Sequence, residues 1–146
     1  MDTTELNAII NVPGFLGTYP YDALPTKPEG DYSIVVNTSP SKDPGSHWLA
    51  LVLQKGNLYF LDSYGRSVRD QTFSQQFKDA IIEYMGGNKI IHNRKWLQSL
   101  SSNVCGEYCI YFIQETHRVG YRKMLHVFTD NFKFNDLIVL NYVENM

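Results

Sequence analysis

Several features are scarce or missing in this 146-residue chain, and each closes off a class of protein. It has only two cysteines, four positions apart in one predicted helix, so no disulfide framework holds it together. Free thiols of this kind fit a reducing compartment. No apolar run approaches the roughly 18 residues of a membrane span. The opening Met1-Asp2-Thr3-Thr4-Glu5 is acidic and carries no apolar core of signal-peptide length, so a soluble, intracellular protein is expected. Charge of one sign is lacking too: the net charge is −2. A field that weak does not favour nucleic acid as a partner. Repeats, low-complexity stretches and linkers are absent, which predicts a single domain over 1–146.

What is present is an apolar content of 43% and an aromatic content of 14%, enough to build one sizeable core. Thr4 to Val12 predicts a short helix stopped by Pro13-Gly14, and residues 13 to 31, with four of the six prolines, read as a loop. Tyr32 to Thr38 predicts a strand. Trp48 to Leu53 and Leu58 to Leu61 predict a hairpin around Gln54-Lys55-Gly56-Asn57. Phe73 to Met85 has helical spacing and ends at Gly86-Gly87. Lys89 to His92 predicts a short strand, Cys105 to about Arg118 a helix, and Asp136 to Val143 a last helix or strand.

Chemistry concentrates in four residues. Cys105-Gly106 opens the apolar helix, where unpaired N–H groups and the helix dipole lower a thiol's pKa from about 8.5. In the hairpin, Leu53 pairs with Leu58, Leu51 with Phe60 and Leu49 with Asp62. His47 then becomes the diagonal neighbour of Asp62 on one face. A slip of one residue would separate them. Read singly, each residue has a plainer role. Cys105 and Cys109 can be small buried hydrophobes, His47 a crevice histidine, Asp62 a turn cap and Gln98 a loop amide. Read as an ordered set, they supply a base, an orienting acid, an amide donor and a nucleophile. His92, His117 and His126 lack ligand spacing, so neither a metal nor a cofactor is expected.

His47-Trp48, Asp62-Ser63-Tyr64-Gly65, Gln98 and Cys105-Gly106, in that order, resemble the adenovirus maturation protease (adenain) family. The ubiquitin-like-protein processing proteases form part of the same group. Phe15-Leu16-Gly17-Thr18-Tyr19, Val36-Asn37-Thr38 and Tyr59-Phe60-Leu61 extend the resemblance over roughly residues 14 to 115. It implies an α+β fold whose central, mostly antiparallel sheet carries His47 and Asp62, with Cys105 at the N-terminus of a packed helix. It also implies a cysteine endopeptidase. Cys105 would be the nucleophile, His47 the proton carrier, Asp62 its orienting acid, and Gln98 with the Cys105 N–H the oxyanion hole. Gly106 would leave room for substrate backbone, and Trp48, Gly45 and Ser46 would line the cleft. The implied substrates are viral capsid or core precursors, cut at glycine-containing sites. The implied source is an adenovirus-like agent, another large DNA virus, a virophage, or a Maverick or Polinton element. The implied place of action is the host cytoplasm or nucleus, with packaging in the virion a further option.

The chain departs from the family pattern in three ways. Asp62 stands where glutamate is common, the chain is shorter, and Cys109 is the only second cysteine. Cys109 is expected to be buried. Activation through a disulfide-linked peptide is therefore not expected, a non-covalent activating peptide stays open, and DNA stimulation does not fit the charge. Three alternatives remain beside the endopeptidase: a processing protease for ubiquitin-like modifiers, an acyltransferase on the same residues, and a non-catalytic binding module.

Overall fold

The computed structural model describes residues 1–42 and 46–146. Its elements run α1 (Thr3–Ile9), β1 (Phe15–Pro20), β2 (Tyr32–Asn37), β3 (Trp48–Gln54), β4 (Asn57–Leu61), α2 (Gln75–Met85), β5 (Lys89–His92), α3 (Cys105–Val119), α4 (Tyr121–His126) and α5 (Phe132–Glu144). The α+β class follows the sequence expectation. No described helix is long and apolar enough to cross a membrane.

The five strands form one sheet in the order β1-β2-β3-β4-β5. Its centre, β2-β3-β4, is antiparallel, and both edges are parallel, so the sheet is mixed. The edges differ from the centre because of their connections. The β3-β4 hairpin turns on two residues of positive φ, Lys55 at 51° and Gly56 at 83°, which suits a tight antiparallel turn. By contrast, β4 reaches β5 through α2, a crossover that returns the chain in the same direction. The hairpin register is the expected one, with Leu53 opposite Leu58 and Leu51 opposite Phe60.

Period-two alternation splits the strand residues between two cores. Ile34, Val36, Leu49, Leu51, Leu58 and Phe60 pack with Phe77, Ile81 and Met85 of α2 on one face. Val35, Ala50, Val52, Tyr59 and Leu61 pack with α1, α3, α4 and α5 on the other. With helices on both faces, the central strands are apolar throughout and offer little polar alternation.

Two elements depart from the sequence reading. β1 lies within the stretch read as a loop. Gly14 and Gly17 have φ of 83° and 117°, the register shifts between Phe15 and Thr18, and Pro20 closes the strand. Glycine and proline disguise it because it is a bulged edge strand with one partner. α4 was not expected at all; Gly120, at φ 88°, breaks α3 and starts it. The tail resolves as helix, with Asn131 accepting the Phe134 N–H as its N-cap.

α3 is fixed at its active end by α5. The Tyr108 hydroxyl, fully buried, donates to Asp136 Oδ1 at 2.8 Å and lies 3.3 Å from the Leu97 carbonyl. Asn135 Nδ2 donates to the same carbonyl at 3.2 Å, and Asp136 accepts the Ser99 N–H at 3.3 Å. Thus α5 holds both the helix that begins at Cys105 and the loop bearing Gln98. Tyr108→Phe deletes the donor to a buried carboxylate and should cost about 1–3 kcal/mol of stability. Urea unfolding measures it, and an unchanged midpoint would refute the anchoring role.

Candidate active site

β3 begins at Trp48 and β4 ends at Leu61, so His47 and Asp62 flank the hairpin at the same end of the sheet. His47 Nε2 lies 2.6 Å from Asp62 Oδ1. The sequence-based register continues to a Leu49–Asp62 pair, but the β3-β4 ladder stops at Ala50–Leu61. Asn93 takes over the backbone of Asp62 instead. Its Oδ1 accepts the Asp62 N–H at 3.0 Å, and its Nδ2 donates to the Asp62 carbonyl at 2.6 Å.

The Asp62 carboxylate is completely buried, so it must be compensated in full. Besides His47 it takes three donors from one residue: Arg66 Nε at 2.7 Å and the Arg66 backbone N–H at 3.2 Å on Oδ2, and Arg66 Nη2 at 3.4 Å on Oδ1. Arg66 folds back because Gly65, at φ 69°, turns the chain sharply, with its N–H on the Asp62 carbonyl at 2.8 Å. A Cβ on Gly65 would meet the Lys95 backbone at 2.7 Å. Arg66 and Asn93 escaped the sequence reading. Arg66 had a signal, an opposite charge four residues beyond the acid across a glycine turn. Asn93 had none, since it arrives from β5.

Cys105 is the first residue of α3, and its sulfur faces the His47 imidazole and the Trp48 backbone N–H. Since Asp62 holds Nε2, Nδ1 is the nitrogen left for the thiol. Burial by itself would depress the His47 pKa, but the bonds to Asp62 and Cys105 outweigh it and raise the group to about 9. Burial pushes the Cys105 thiol up, yet the imidazole beside it brings the thiol below its ordinary value. Asp62, despite its burial, is held below the usual carboxylate range by His47 and Arg66. The three groups thus favour a thiolate–imidazolium pair. Cys109, one turn on and fully enclosed, is pushed well above the ordinary thiol value by burial.

Gln98 is buried beside Ser63, the residue after Asp62. Its Oε1 accepts the Ser63 hydroxyl at 2.6 Å, and its Nε2 donates to the Ser102 carbonyl at 3.2 Å. The carbonyl can only accept, which fixes the orientation of the amide. Trp48, Ser46, Asn103 and Glu107 line a cavity of about 120 Å³ with His47, Cys105, Gly106 and Met1. Gly45 lies outside the described residues. Gly106 does not leave open space: a Cβ there would meet the Trp48 ring at 3.1 Å, so the glycine admits the indole rather than a substrate backbone. Trp48 therefore packs on the core and walls the cleft at once. Tyr64 stacks on the imidazole at 5.1 Å and leans on Trp96 at 4.8 Å.

The family model of adenovirus endoprotease matches residues 15–139 of the chain. No curated protein matches it. Among solved structures, ChlaDub1 from Chlamydia trachomatis aligns at 16% identity with a TM-score of 0.51, over 79% of this chain and 58% of that one. The likeness is one of fold, and this chain spans less than two thirds of the length of ChlaDub1.

Two outcomes follow from this geometry. His47 stabilises the fold fully below its ordinary value of 6.5 and loses that contribution as pH climbs through about 9. Asp62 contributes above its ordinary value of 3.8 and loses that contribution as pH falls below it. Stability should therefore be greatest between these ordinary values, and Asp62→Asn should flatten both slopes and move the pH midpoint of Cys105 alkylation upward. A midpoint unchanged in the variant would refute the coupling. Gly65→Ala, strained by its φ and by the Lys95 backbone, should cost about 1–3 kcal/mol. It should also slow Cys105 alkylation near neutral pH by displacing Arg66; wild-type labelling would separate Arg66 from the acid's role.

Proposed function

Since the chain belongs to the adenovirus endoprotease family of cysteine-type peptidases, we propose that it cleaves precursor proteins of a virus or virus-derived element at glycine-containing sites. The observation that carries this reading is a single imidazole bonded to a buried, doubly compensated carboxylate and sharing one cavity with a helix-start thiol. The cleft supports the preference for glycine. Trp48 seated on Gly106 narrows the space beside Cys105, and a substrate residue without a Cβ enters such a slot most easily.

In the proposed reaction the Cys105 thiolate attacks the scissile carbonyl carbon, and a C–S bond forms as the oxygen takes the negative charge. The Cys105 backbone N–H, at the first position of α3, has no acceptor within its own helix and is free for that oxyanion. Gln98 Nε2 supplies a second donor in this reading; it donates to the Ser102 carbonyl and lies 3.3 Å from the Ser102 hydroxyl, so the proton on the hydroxyl side would turn to the oxyanion. The His47 proton passes to the leaving amine as the C–N bond breaks, leaving a thioester. Water then attacks the thioester while His47 takes its proton, and the thiolate departs. Asp62 holds the ring and its charge throughout. Because Cys109 is enclosed, an activating peptide, if one is used, would bind without a disulfide.

A panel of fluorogenic peptides, some spanning Gly-X-Gly and some ending in Gly-Gly, tests the proposal. Wild type should turn over the Gly-X-Gly set and Cys105→Ala should not. Gln98→Ala should lose about 10²–10³ in kcat, the usual effect of one oxyanion donor. Exclusive cleavage after Gly-Gly would point to modifier processing instead, and equal turnover by Cys105→Ala would rule out thiol catalysis.

A further inference from the structure

Glu107 stands two residues beyond the nucleophile, in the first turn of α3, and lines the same cavity as Cys105, His47, Trp48 and Ser46. Nothing in the proposed reaction uses it. Its Oε1 is buried and has no hydrogen-bond partner among the described residues. A carboxylate in this position has two costs. Burial raises its own pKa although its backbone N–H and the Met1 ammonium work the other way, and its charge raises that of the Cys105 thiol, against the thiolate that catalysis needs. The helix dipole and its own backbone N–H suit an acid in this turn, where Val104 makes no side-chain cap bond, but they leave Oε1 without a partner. An unpaired acceptor facing the cleft calls for a donor, and a charged acceptor calls for a charged one.

We propose that Glu107 is a specificity-determining residue that receives a lysine or arginine side chain of the substrate next to the scissile bond. The proposal rests on the protease reading for its physiological meaning. The bound cation would satisfy Oε1 and offset the charge that Glu107 places beside the thiolate, so a basic substrate would ease the chemical step as well as binding. A neutral side chain at the same position would leave Oε1 without a partner.

Two measurements test it, one of which needs no turnover. In the first, peptides carrying lysine, norleucine or glutamate at each position flanking the cleaved bond are compared in kcat/KM. Wild type should favour lysine over norleucine at one position by about tenfold or more, the usual worth of a charge-assisted bond. In Glu107→Gln, which keeps shape and an acceptor, that ratio should fall to near unity, and Glu107→Lys should favour glutamate. Wild type showing no preference for lysine at any position would overturn the proposal while leaving the protease reading intact. In the second, Cys105 is labelled with methanethiosulfonates bearing an ammonium, a neutral methyl or a sulfonate. The ratio of ammonium to sulfonate rates should drop several-fold in Glu107→Gln; an unchanged ratio would overturn the proposal. If no peptide is cleaved, the protease reading fails and the labelling ratio alone decides whether Glu107 reads charge. Thermal unfolding of both variants shows that the comparison is made between folded proteins.

Discussion

The buried carboxylate of Asp62 is the constraint on which the active end of this molecule depends. A fully enclosed negative charge survives only when donors surround it, and here they come from two separate stretches of chain, with a third holding the acid's backbone. His47 arrives from the start of β3, Arg66 from the turn after β4, and Asn93 from the end of β5 to clamp the acid's backbone. Each of the three fixes something besides. His47 is held with Nε2 engaged and its other nitrogen directed at the thiol. Arg66 spreads its guanidinium over the Phe73 ring at 4.3 Å and so ties the acid to the α2 core. Asn93 ends the β3-β4 ladder where it does.

The thiol comes to this assembly from the opposite layer. α3 packs beneath β3 on the face that carries Ala50 and Val52, and its first residue emerges just where the strands run out. Because β3 and β4 leave the sheet side by side, His47 and Asp62 stand together beyond its edge, and a helix from below can present the Cys105 thiol to them. α5 completes the support by bonding both to Tyr108 of α3 and to the 97–99 segment around Gln98. The geometry of this site is thus held by contacts between layers, and no single element contains it.

The cleft itself is narrow because two residue choices reinforce each other. Gly106 lets the Trp48 indole come within van der Waals reach of the helix, and Tyr64 stacks on the histidine next to it. Glu107 adds a charge to this small, poorly solvated space. Charges interact more strongly there than in water, so a single carboxylate weighs more on the groups around it.

The one-dimensional pattern determined whatever rests on periodicity and on order along the chain. The hairpin register, the helical spacing of Phe77 and Ile81, the start of α3 at Cys105 and the His47–Asp62 pairing all arise between residues near in sequence or joined by one tight turn. β1 was hidden by its glycines and its proline, because an edge strand with one partner tolerates residues that a central strand rejects. The role of Gly106 was misjudged for a similar reason: the indole that fills its missing side chain is 58 positions away (106 minus 48) and reaches it only in three dimensions. Asn93, Gln98 with Ser63, and Glu107 facing the cleft were likewise decided by the tertiary structure alone. Their partners are set by how separate elements cross at the end of the sheet, and burial, which decides whether a polar atom must find a partner, does not exist until the layers close.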